Sequence, residues 1–295
     1  MAEHLLIIDA MAWIFRSYYS EDDFRTPEGF PANASFGFLH FLLRNLSREK
    51  PNHAAVVFDS GPRCFRKDIY PAYKANRSET PEDLLPQFEQ CERVTDALGL
   101  PRFKVDNYEA DDVIASLAKL ARKDDFEITI LSGDKDLAQL VEEGVRIIDP
   151  GRNRRFTTRT VKKRFGVEPP QLLDWMSLVG DSSDNVPGMP GVGPKTATAL
   201  IEEFGGLDEI YASLERIETL EIRGARTLAP KLEKHRDKVE MAKRLIRLES
   251  DLPLGISTSK LQYHGAPEGE CRRVFEDLGF EASLPAVPLW KKEGE

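Results

Sequence analysis

Acidic residues stand at five separated places in this sequence, each directly after a short apolar run or at the predicted start of a helix. They are Asp9, Asp59, Glu109 with Asp111, Asp134 with Asp136, and Asp184. The carboxyl ends of strands in an open α/β sheet meet at one edge, so we expect these carboxylates to converge there. Close carboxylates cannot all stay ionised without positive partners. The pattern therefore predicts a magnesium site with more than one ion.

Several of these acids also have a simpler local explanation as caps of turns and helices. Asp9 and Asp59 follow predicted strands, where an aspartate often caps a turn. The run Glu109-Ala110-Asp111-Asp112 opens a predicted helix, where acids are favoured by the helix dipole. Asp134 is in position to cap the next helix, but Asp136 has no local role. Capping therefore explains only part of the cluster.

The cysteines and histidines are scattered rather than clustered. Cys64, Cys91 and Cys271 lie far apart without metal-like spacing, which indicates reduced thiols. The five histidines are equally scattered, so neither a zinc site nor a Ser-His-Asp arrangement is supported. We therefore expect any chemistry in this chain to be carboxylate chemistry.

The charges are segregated along the chain. The net charge is −9, which by itself argues against binding to nucleic acid. Residues 151–167 nevertheless carry seven basic side chains and no acid, and residues 61–78 and 223–247 are further basic segments. An acidic centre flanked by basic segments suits a metal-dependent enzyme that acts on a polyanion. Solvated helix faces are the alternative explanation for each basic segment taken separately.

The elements that must position these residues follow from the apolar runs. Strands are predicted at 4–9, 54–59, 126–132 and 145–149, and helices lie between them near 32–49, 82–98 and 109–123. Strands separated by helices indicate a parallel, right-handed α/β sheet. Only helices are predicted after residue 168, at 169–179, 193–204, 207–214, 225–235, 237–247 and 268–277. We therefore expect an α/β core over 1–168 and a helical part over 169–295.

The strongest local signal is the run VGDSSDNVPGMPGVGPKT, from Val179 to Thr196. Within it, Gly191-Val192-Gly193-Pro194-Lys195 offers a glycine turn followed by proline near the first position of a helix. Free amides at a helix start, with a lysine beside them, make a site for a backbone phosphate. A turn that merely joins two helices is the alternative, but it does not explain Asp181 and Asp184 just upstream.

Nothing in the sequence resembles a membrane anchor or an export signal. The start of the chain has no cationic segment before its short apolar run, and no later stretch approaches the length of a membrane span. We expect a cytoplasmic protein that has no membrane partner.

Six motifs taken together resemble those of the bacterial and phage 5′ nuclease family. In chain order they are LIIDA, VVFD, FRKDIYPAYKANR, YEADD, GDKDLAQLV and GDSSDNVPGMPGVGPKTA. The family includes the amino-terminal 5′ to 3′ exonuclease domain of DNA polymerase I and the flap endonucleases. The resemblance runs from residue 4 to about residue 280 in the same order and with similar spacing.

The resemblance implies a fold and a metal centre. The fold is a PIN-like (Rossmann-like) α/β core with a helical arch at about 61–83, followed by a helix-three-turn-helix DNA-binding motif at about 180–205. Two Mg²⁺ ions are implied, with Mn²⁺ as a substitute, and a K⁺ ion is implied at the backbone near Val192. The implied metal ligands are Asp9, Asp59, Glu109, Asp111, Asp134, Asp136 and Asp184, with Asp112 and Asp181 as outer ligands through water.

The resemblance also implies residues that contact the substrate. Lys74 and Arg77, with Arg66 beside them, would act on the scissile phosphate from the arch. Tyr73 or Phe65 is a candidate for stacking on an unpaired base, with packing in a helix as the alternative role. The other implied DNA contacts are Gly191, Gly193, Lys195 and Thr196.

The implied activity is hydrolysis of phosphodiester bonds in DNA, as a 5′-3′ exonuclease and a 5′ flap endonuclease, in primer removal or repair. The implied substrate is DNA with a 5′ flap or a 5′ end at a duplex junction, in which the 5′ strand can be RNA-primed. We also expect a monomer at the nucleoid, with a DNA polymerase or a ligase as candidate protein partner.

Three other functions compete with this interpretation. A non-catalytic, structure-specific DNA-binding paralogue would share the fold, but the complete set of acids argues against it. A PIN-type ribonuclease is the second alternative, and the hairpin and the arch favour DNA over RNA. A phosphatase is weaker still, because the run GDKD at 133–136 has no second phosphatase motif near it. The chain has no room for polymerase domains, so it resembles a free-standing paralogue or an isolated domain.

Overall fold

The computed structural model, which describes residues 3–21, 23–61, 63–222 and 224–292, places a six-stranded sheet in the amino-terminal half of the chain. Its strands are β1 (His4–Asp9), β2 (His53–Val57), β3 (Arg102–Phe103), β4 (Glu127–Leu131), β5 (Val145–Asp149) and β6 (Arg154–Phe156). They lie in the order β3-β2-β1-β4-β5-β6, and every neighbouring pair is parallel except β5 with β6. The predicted parallel sheet is confirmed, with an antiparallel strand added at one edge.

Six helices accompany this sheet along the chain. They are α1 (Ala10–Ser20), α2 (Asn33–Glu49), α3 (Phe65–Ile69), α4 (Leu85–Ala97), α5 (Ala110–Arg122) and α6 (Thr158–Phe165). Of these, α1 and α6 are differences from the sequence prediction. Within the described ranges, no helix of the chain combines the length and the apolar character needed to cross a bilayer.

Helices dominate the rest of the chain. They are α7 (Leu172–Val179), α8 (Pro194–Phe204), α9 (Leu207–Ala212), α10 (Ala225–Lys234), α11 (Arg236–Ile246) and α12 (Glu268–Leu278). Short 3₁₀ segments lie at Asp136–Leu140, Pro169–Gln171, Leu214–Thr219, Thr258–Leu261 and Glu281–Ala286. The predicted helical part is confirmed except for one small hairpin, in which β7 (Gly180–Asp181) pairs with β8 (Val186–Pro187). Strands of two residues are too short to show a periodic pattern.

Alternate side chains of β1 enter two different hydrophobic clusters, which explains why its sequence is apolar without alternation. Leu5 and Ile7 belong to a cluster that includes α5 and continues into α7, α8, α10 and α11. Leu6 and Ile8 belong to a second cluster built with α1, α2, α4 and α12. The sheet is thus covered on both faces, and the first cluster runs without a break across residue 168.

The segment predicted as a helical arch, 61–83, folds differently from that expectation. Among its described residues it contains the five-residue helix α3 and then turns over 71–77; residue 62 lies outside the described residues. Backbone and amide contacts dock the turns on the 181–185 loop: Lys74 N donates to Asp184 O at 2.9 Å, and Asn185 Nδ2 donates to Ala72 O at 2.7 Å. The structure therefore has a docked turn where a helical arch was expected.

Two glycines allow the β7–β8 hairpin to close. Gly180 has a φ of 79°, in the left-handed region, and a Cβ there would lie 2.3 Å from Gly188 N. A Cβ on Gly188 would lie 2.1 Å from Val179 O. The two backbone segments approach so closely that no side chain fits between them. This approach holds the loop that carries Asp181 and Asp184.

We predict that Gly188→Ala destabilises the protein by about 1–3 kcal/mol, because the added methyl group must displace backbone atoms. Thermal or urea unfolding of the variant and the wild type measures this change. Gly269→Ala is the matched control, since no atom lies within 4 Å of its added Cβ in the first turn of α12. A Gly188→Ala protein as stable as the control would contradict the close approach.

Candidate metal centre and active site

Five of the predicted acids line one cleft at the carboxyl edge of the parallel strands. The cleft has a volume of about 530 Å³. These five acids are Asp9, Asp59, Glu109, Asp111 and Asp134. These residues end or follow β1, β2 and β4 or begin α5. The topology of the sheet therefore brings together residues that are up to 125 positions apart in the chain.

The carboxylates of this cleft are fixed by short-range donors. Ala12 N donates to Asp9 Oδ1 at 3.5 Å, and Ala110 N donates to Asp59 Oδ1 at 2.6 Å. Ser132 Oγ donates to Asp9 Oδ2 at 2.6 Å. Asp9 and Asp59 thus cap the helices α1 and α5 and line the cleft at the same time. A capping role and a place in the cleft are therefore compatible for these residues.

A second acidic group lies beside the first. Asp136, Asp181 and Asp184 each offer an oxygen atom, and these atoms lie within 4.8 Å of one another. Asp136 comes from the 3₁₀ turn after β4, whereas Asp181 and Asp184 come from the β7–β8 hairpin. The backbone N of Asp136 donates to Asp134 Oδ1 at 2.8 Å, which joins the two groups.

Burial and mutual repulsion disturb the ionisation of these acids. Burial, with the nearby charges of Asp59 and Asp134, raises the pKa of Asp9 to about 7 despite the hydrogen bond from Ser132. Burial and neighbouring carboxylates also raise the pKa of Asp111 and Asp136 well above the ordinary value. Burial raises the pKa of Asp59 and Asp134 as well. Protons or cations must therefore neutralise part of the cluster.

The donor set fits a hard divalent cation. All of the converging groups are carboxylates, and oxygen donors of this type are the ligands that Mg²⁺ prefers. Asp136 Oδ1 is buried and has no hydrogen-bond partner among the described residues. A buried acceptor without a donor is costly, and a metal ion would satisfy it.

Residues 70–77, which we call the clamp turn, bring positive charge between the two acidic groups. The Nζ of Lys74 contacts Glu109 Oε1 and lies 3.5 Å from Asp184 Oδ2. Arg77 Nη2 lies 2.5 Å from Asp184 Oδ1. Lys74 and Arg77 also line the cleft, as the sequence prediction requires of residues that contact a phosphate.

Three predicted site residues lie elsewhere than expected. Arg66 and Asp112 are 2% and 0% exposed and pair with each other at 2.7 Å, so neither lines the cleft. Asp112 is the third residue of α5 and turns back to accept a hydrogen bond from Glu109 N at 3.2 Å, as one half of a capping box. Tyr73 is 4% exposed, and its hydroxyl donates to Glu109 and Asp184 at 2.9 and 3.1 Å. A ring packed in the core cannot stack on a base, so that expectation is wrong.

Sequence reasoning missed one wall of the cleft, which α1 provides. Met11, Phe15 and Tyr19 recur at intervals of four residues and all line the cleft, and Tyr19 is 72% exposed. Arg16 lies between them and also lines the cleft. Apolar residues at i, i+4 and i+8 directly after Asp9 were the available signal for this helix face.

The end of β5 supplies a further acid that was missed. Asp149 is 4% exposed and lines the cleft together with Arg152. Arg152 N donates to Asp149 Oδ1 at 3.1 Å, and the guanidinium lies 3.5 Å from Oδ2. The signal was the same as for Asp9, an aspartate at the last position of a buried strand.

The predicted phosphate-binding turn precedes α8. Gly193 is the N-cap of α8, Pro194 is its first residue, and no side chain caps the helix. Gly191 has a φ of 85°, and a Cβ on Gly191 or Gly193 would meet no atom within 4 Å. Lys195 is exposed and Thr196 is half-buried, whereas Val192 is buried. Two glycines with open surroundings and an exposed lysine therefore stand at the start of α8.

Comparison with known proteins identifies the family. Residues 4–166 match the model of the 5′-3′ exonuclease N-terminal resolvase-like domain, and residues 167–268 match that of the 5′-3′ exonuclease C-terminal SAM fold. The chain belongs to the 5′-3′ exonuclease family. The expected resemblance to the 5′ nucleases is confirmed.

Curated relatives of this family member include two kinds of protein. A 5′-3′ exonuclease of Aquifex aeolicus is 34% identical over 283 residues, covering 96% of this chain and 94% of the relative. DNA polymerase I of Bacillus subtilis is 35% identical over 295 residues, covering 99% of this chain. The chain spans about a third of the length of that polymerase (33%).

Solved structures share the fold of this family member. A bacteriophage T5 flap endonuclease in a complex with DNA and metal ions has a TM-score of 0.67 at 20% identity, covering 97% of this chain and 99% of that one. The catalytic core of Rad2 in complex with a DNA substrate has a TM-score of 0.63 at 18% identity, with 97% and 93% covered. At these identities the likeness establishes the fold.

We predict that the metal-free protein loses stability as the pH rises through the pKa of Asp9. The folded state binds these protons more tightly than the unfolded chain, because the folded pKa is raised from 3.8 to about 7. The free energy of unfolding in EDTA should therefore fall from about pH 4 to about pH 7 and level off by about pH 8. Mg²⁺ at pH 8 should raise the melting temperature.

Asp111→Asn removes one charge of the cluster and should flatten this pH dependence, with a higher melting temperature in EDTA. Asp251→Asn is the control, because Asp251 is an exposed acid paired with Lys119. This variant should keep the wild-type dependence of the free energy of unfolding on pH. A flat wild-type profile in EDTA would contradict the raised pKa values.

Proposed function

We propose that the chain is a structure-specific 5′ nuclease that hydrolyses phosphodiester bonds of DNA as a 5′-3′ exonuclease and 5′ flap endonuclease. One observation carries the proposal: two adjacent groups of buried and half-buried carboxylates, bridged by Lys74, at the strand ends of a 5′-3′ exonuclease family member. A protein that only bound DNA would have no need for acids buried at such electrostatic cost.

The proposal includes two Mg²⁺ ions, with Mn²⁺ as a substitute. Asp9, Asp59, Glu109 and Asp111 would hold the first ion, and Asp134, Asp136 and Asp184 the second, with Asp111 between them. Asp181 would act through water, because Lys135 and Ser183 already donate to its Oδ1. When bound, such ions lower the pKa of a water molecule and stabilise both the attacking and the leaving oxygen.

Lys74 and Arg77 are the residues that we propose for contact with the scissile phosphate. Burial alone would lower the pKa of Lys74, but Glu109 and Asp184 raise it above its ordinary value. The pKa of Arg77 is raised in the same way, mainly by Asp184. Both side chains therefore stay cationic and can donate N–H groups to a phosphate. A preorganised donor of this kind typically contributes about a hundredfold or more to the rate.

The duplex would be held by its backbone at two places. The first is the turn before α8, with Gly191, Gly193, Lys195 and Thr196 at the phosphates and a K⁺ ion on backbone carbonyls near Val192. The second is the basic segment 151–167, in which burial and the charges of Arg154 and Arg152 lower the pKa of Arg164. Crowded cations of this kind favour an anionic partner.

The substrate that fits this arrangement is DNA with a 5′ flap or a 5′ end at a duplex junction, including an RNA-primed 5′ strand. The T5 and Rad2 structures, which contain DNA, support a DNA substrate. We further propose a division into units 1–168 and 169–295, a monomeric state, a cytoplasmic location at the nucleoid, and recruitment by a DNA polymerase or a ligase.

Asp134→Ala should abolish cleavage of an end-labelled 5′-flapped duplex in Mg²⁺, because it removes a carboxylate that lies between the two groups. Binding of the same DNA in Ca²⁺ should persist. Asp251→Ala removes an exposed acid outside the cleft and should cleave at the wild-type rate.

The same assay separates the rival functions. An intact flap after incubation of the wild type with Mg²⁺ would favour a non-catalytic binding protein over a nuclease. Faster cleavage of single-stranded RNA than of the DNA flap would favour a ribonuclease.

Lys195→Ala should weaken binding to duplex DNA and reduce the slope of log affinity against log salt by about one, because one phosphate contact is lost. Fluorescence anisotropy at several salt concentrations measures both quantities. Lys104→Ala removes the same charge beside the edge strand β3, where Lys104 pairs with Glu92, and should leave the slope unchanged. Equal salt slopes for the two variants would show that Lys195 does not contact a DNA phosphate.

A further inference from the structure

Every N–H donor of Arg66 has an acceptor within the protein. Nε donates to Leu245 O at 2.7 Å, and Nη2 donates to Arg247 O at 2.8 Å. The remaining donors reach Asp112 twice, at 2.7 Å each, and Glu109 Oε2 at 3.0 Å. A guanidinium has five such donors, so none is left for a substrate phosphate. Any effect of Arg66 on the reaction must therefore be exerted through the residues that it contacts.

Asp112 anchors this guanidinium. It is fully buried and also accepts hydrogen bonds from Glu109 N at 3.2 Å and Glu249 N at 2.9 Å. A two-pronged pair between a guanidinium and a carboxylate has a fixed geometry. Asp112 therefore fixes Arg66 relative to α5 and to the chain that follows α11.

Glu109 connects the Arg66–Asp112 pair to the cleft. Its Oε2 accepts from Arg66 Nη1 at 3.0 Å and from the Tyr73 hydroxyl at 2.9 Å, while its Oε1 contacts Lys74. One oxygen is thus held from the protein interior, and the other is presented toward Lys74 on the cleft side. Without Arg66, the carboxylate would lose the only cation that holds Oε2 among the described residues.

We propose that Arg66 is a positioning residue that, with Asp112, fixes Glu109 as a metal ligand and ties it to the end of α11. The inference rests on the proposed metal-dependent nuclease function. Lys243 in α11 pairs with Asp174 in α7 at 2.8 Å, and α7 leads directly into the β7–β8 hairpin. The Arg66–Asp112 pair therefore links the first carboxylate group to the framework that carries Asp181 and Asp184.

A single substitution is a poor test, because removing one partner leaves an uncompensated buried charge and destabilises the fold. The double variant Arg66→Met/Asp112→Asn replaces the ion pair by neutral groups of similar size, and the asparagine keeps an acceptor for one of the two backbone amides that donate to Asp112. Arg66→Lys is a second variant, which keeps the charge but offers three donors instead of five.

The matched control is Arg102→Met/Asp96→Asn. It makes the same chemical change in another two-pronged pair of a guanidinium and a carboxylate, in which Arg102 Nε and Nη2 donate to Asp96 at 3.1 Å each, and neither residue lines the cleft. Four quantities are measured for each protein. They are the melting temperature, the Mn²⁺ affinity by calorimetry, the DNA affinity in EDTA, and the rate of single-turnover cleavage as a function of metal concentration.

Both Arg66 variants should bind the tighter Mn²⁺ ion about ten- to a hundredfold more weakly, as is typical when a partner of a metal ligand is lost. Their DNA affinity in EDTA should be unchanged, and their cleavage should recover in part at high metal concentration. The control should keep the wild-type metal affinity, even where its melting temperature falls by a similar amount.

Wild-type Mn²⁺ affinity in the Arg66 variants would overturn the inference. Weaker DNA binding with unchanged metal affinity would also overturn it and would favour direct contact of Arg66 with a phosphate. A wild-type protein that neither binds Mn²⁺ nor cleaves the flap would defeat the proposed function itself, and with it this inference, whatever the variants do.

Discussion

Repulsion among carboxylates buried at the edge of one sheet is the constraint on which the rest of the structure depends. Burial, together with the neighbouring carboxylates, raises the pKa of Asp9, Asp111 and Asp136. The surrounding structure answers the repulsion with directional donors, such as the Ser132 hydroxyl and the first amides of α1 and α5, and with the cations of the clamp turn. Elements from both halves of the chain therefore contribute the contacts that hold these acids together.

The two halves of the chain share this task because their packing is continuous. One hydrophobic cluster contains residues of β1, α5, α8 and α11, and the clamp turn is docked on the loop between β7 and β8. Asp136 from the first half and Asp181 and Asp184 from the second complete one acidic group. A change in how the helical part packs would therefore alter the electrostatics of the cleft directly.

The sequence predicted the sheet and the convergence of the acids, because both follow from local rules. The bounds of β1 and β5 agree with the apolar runs, and an aspartate at a strand end must lie at the sheet edge. The burial of Arg66 could not be predicted, since its partners Leu245 and Arg247 are about 180 residues away. The clamp turn was also beyond local rules, because its turns are stabilised by the distant 181–185 loop. By contrast, the spacing of Met11, Phe15 and Tyr19 on α1 can be read from the sequence, and this face of the helix was missed.

Lys74 combines a strained backbone with a central position in the cleft. Its φ is 56°, in the left-handed region, where a residue with a Cβ costs about 1 kcal/mol relative to glycine. Glycine at this position would relieve the backbone, but it would also remove the ammonium group that offsets the charges of Glu109 and Asp184. The strained backbone of a single residue is thus the local condition for holding a cation between two acidic groups.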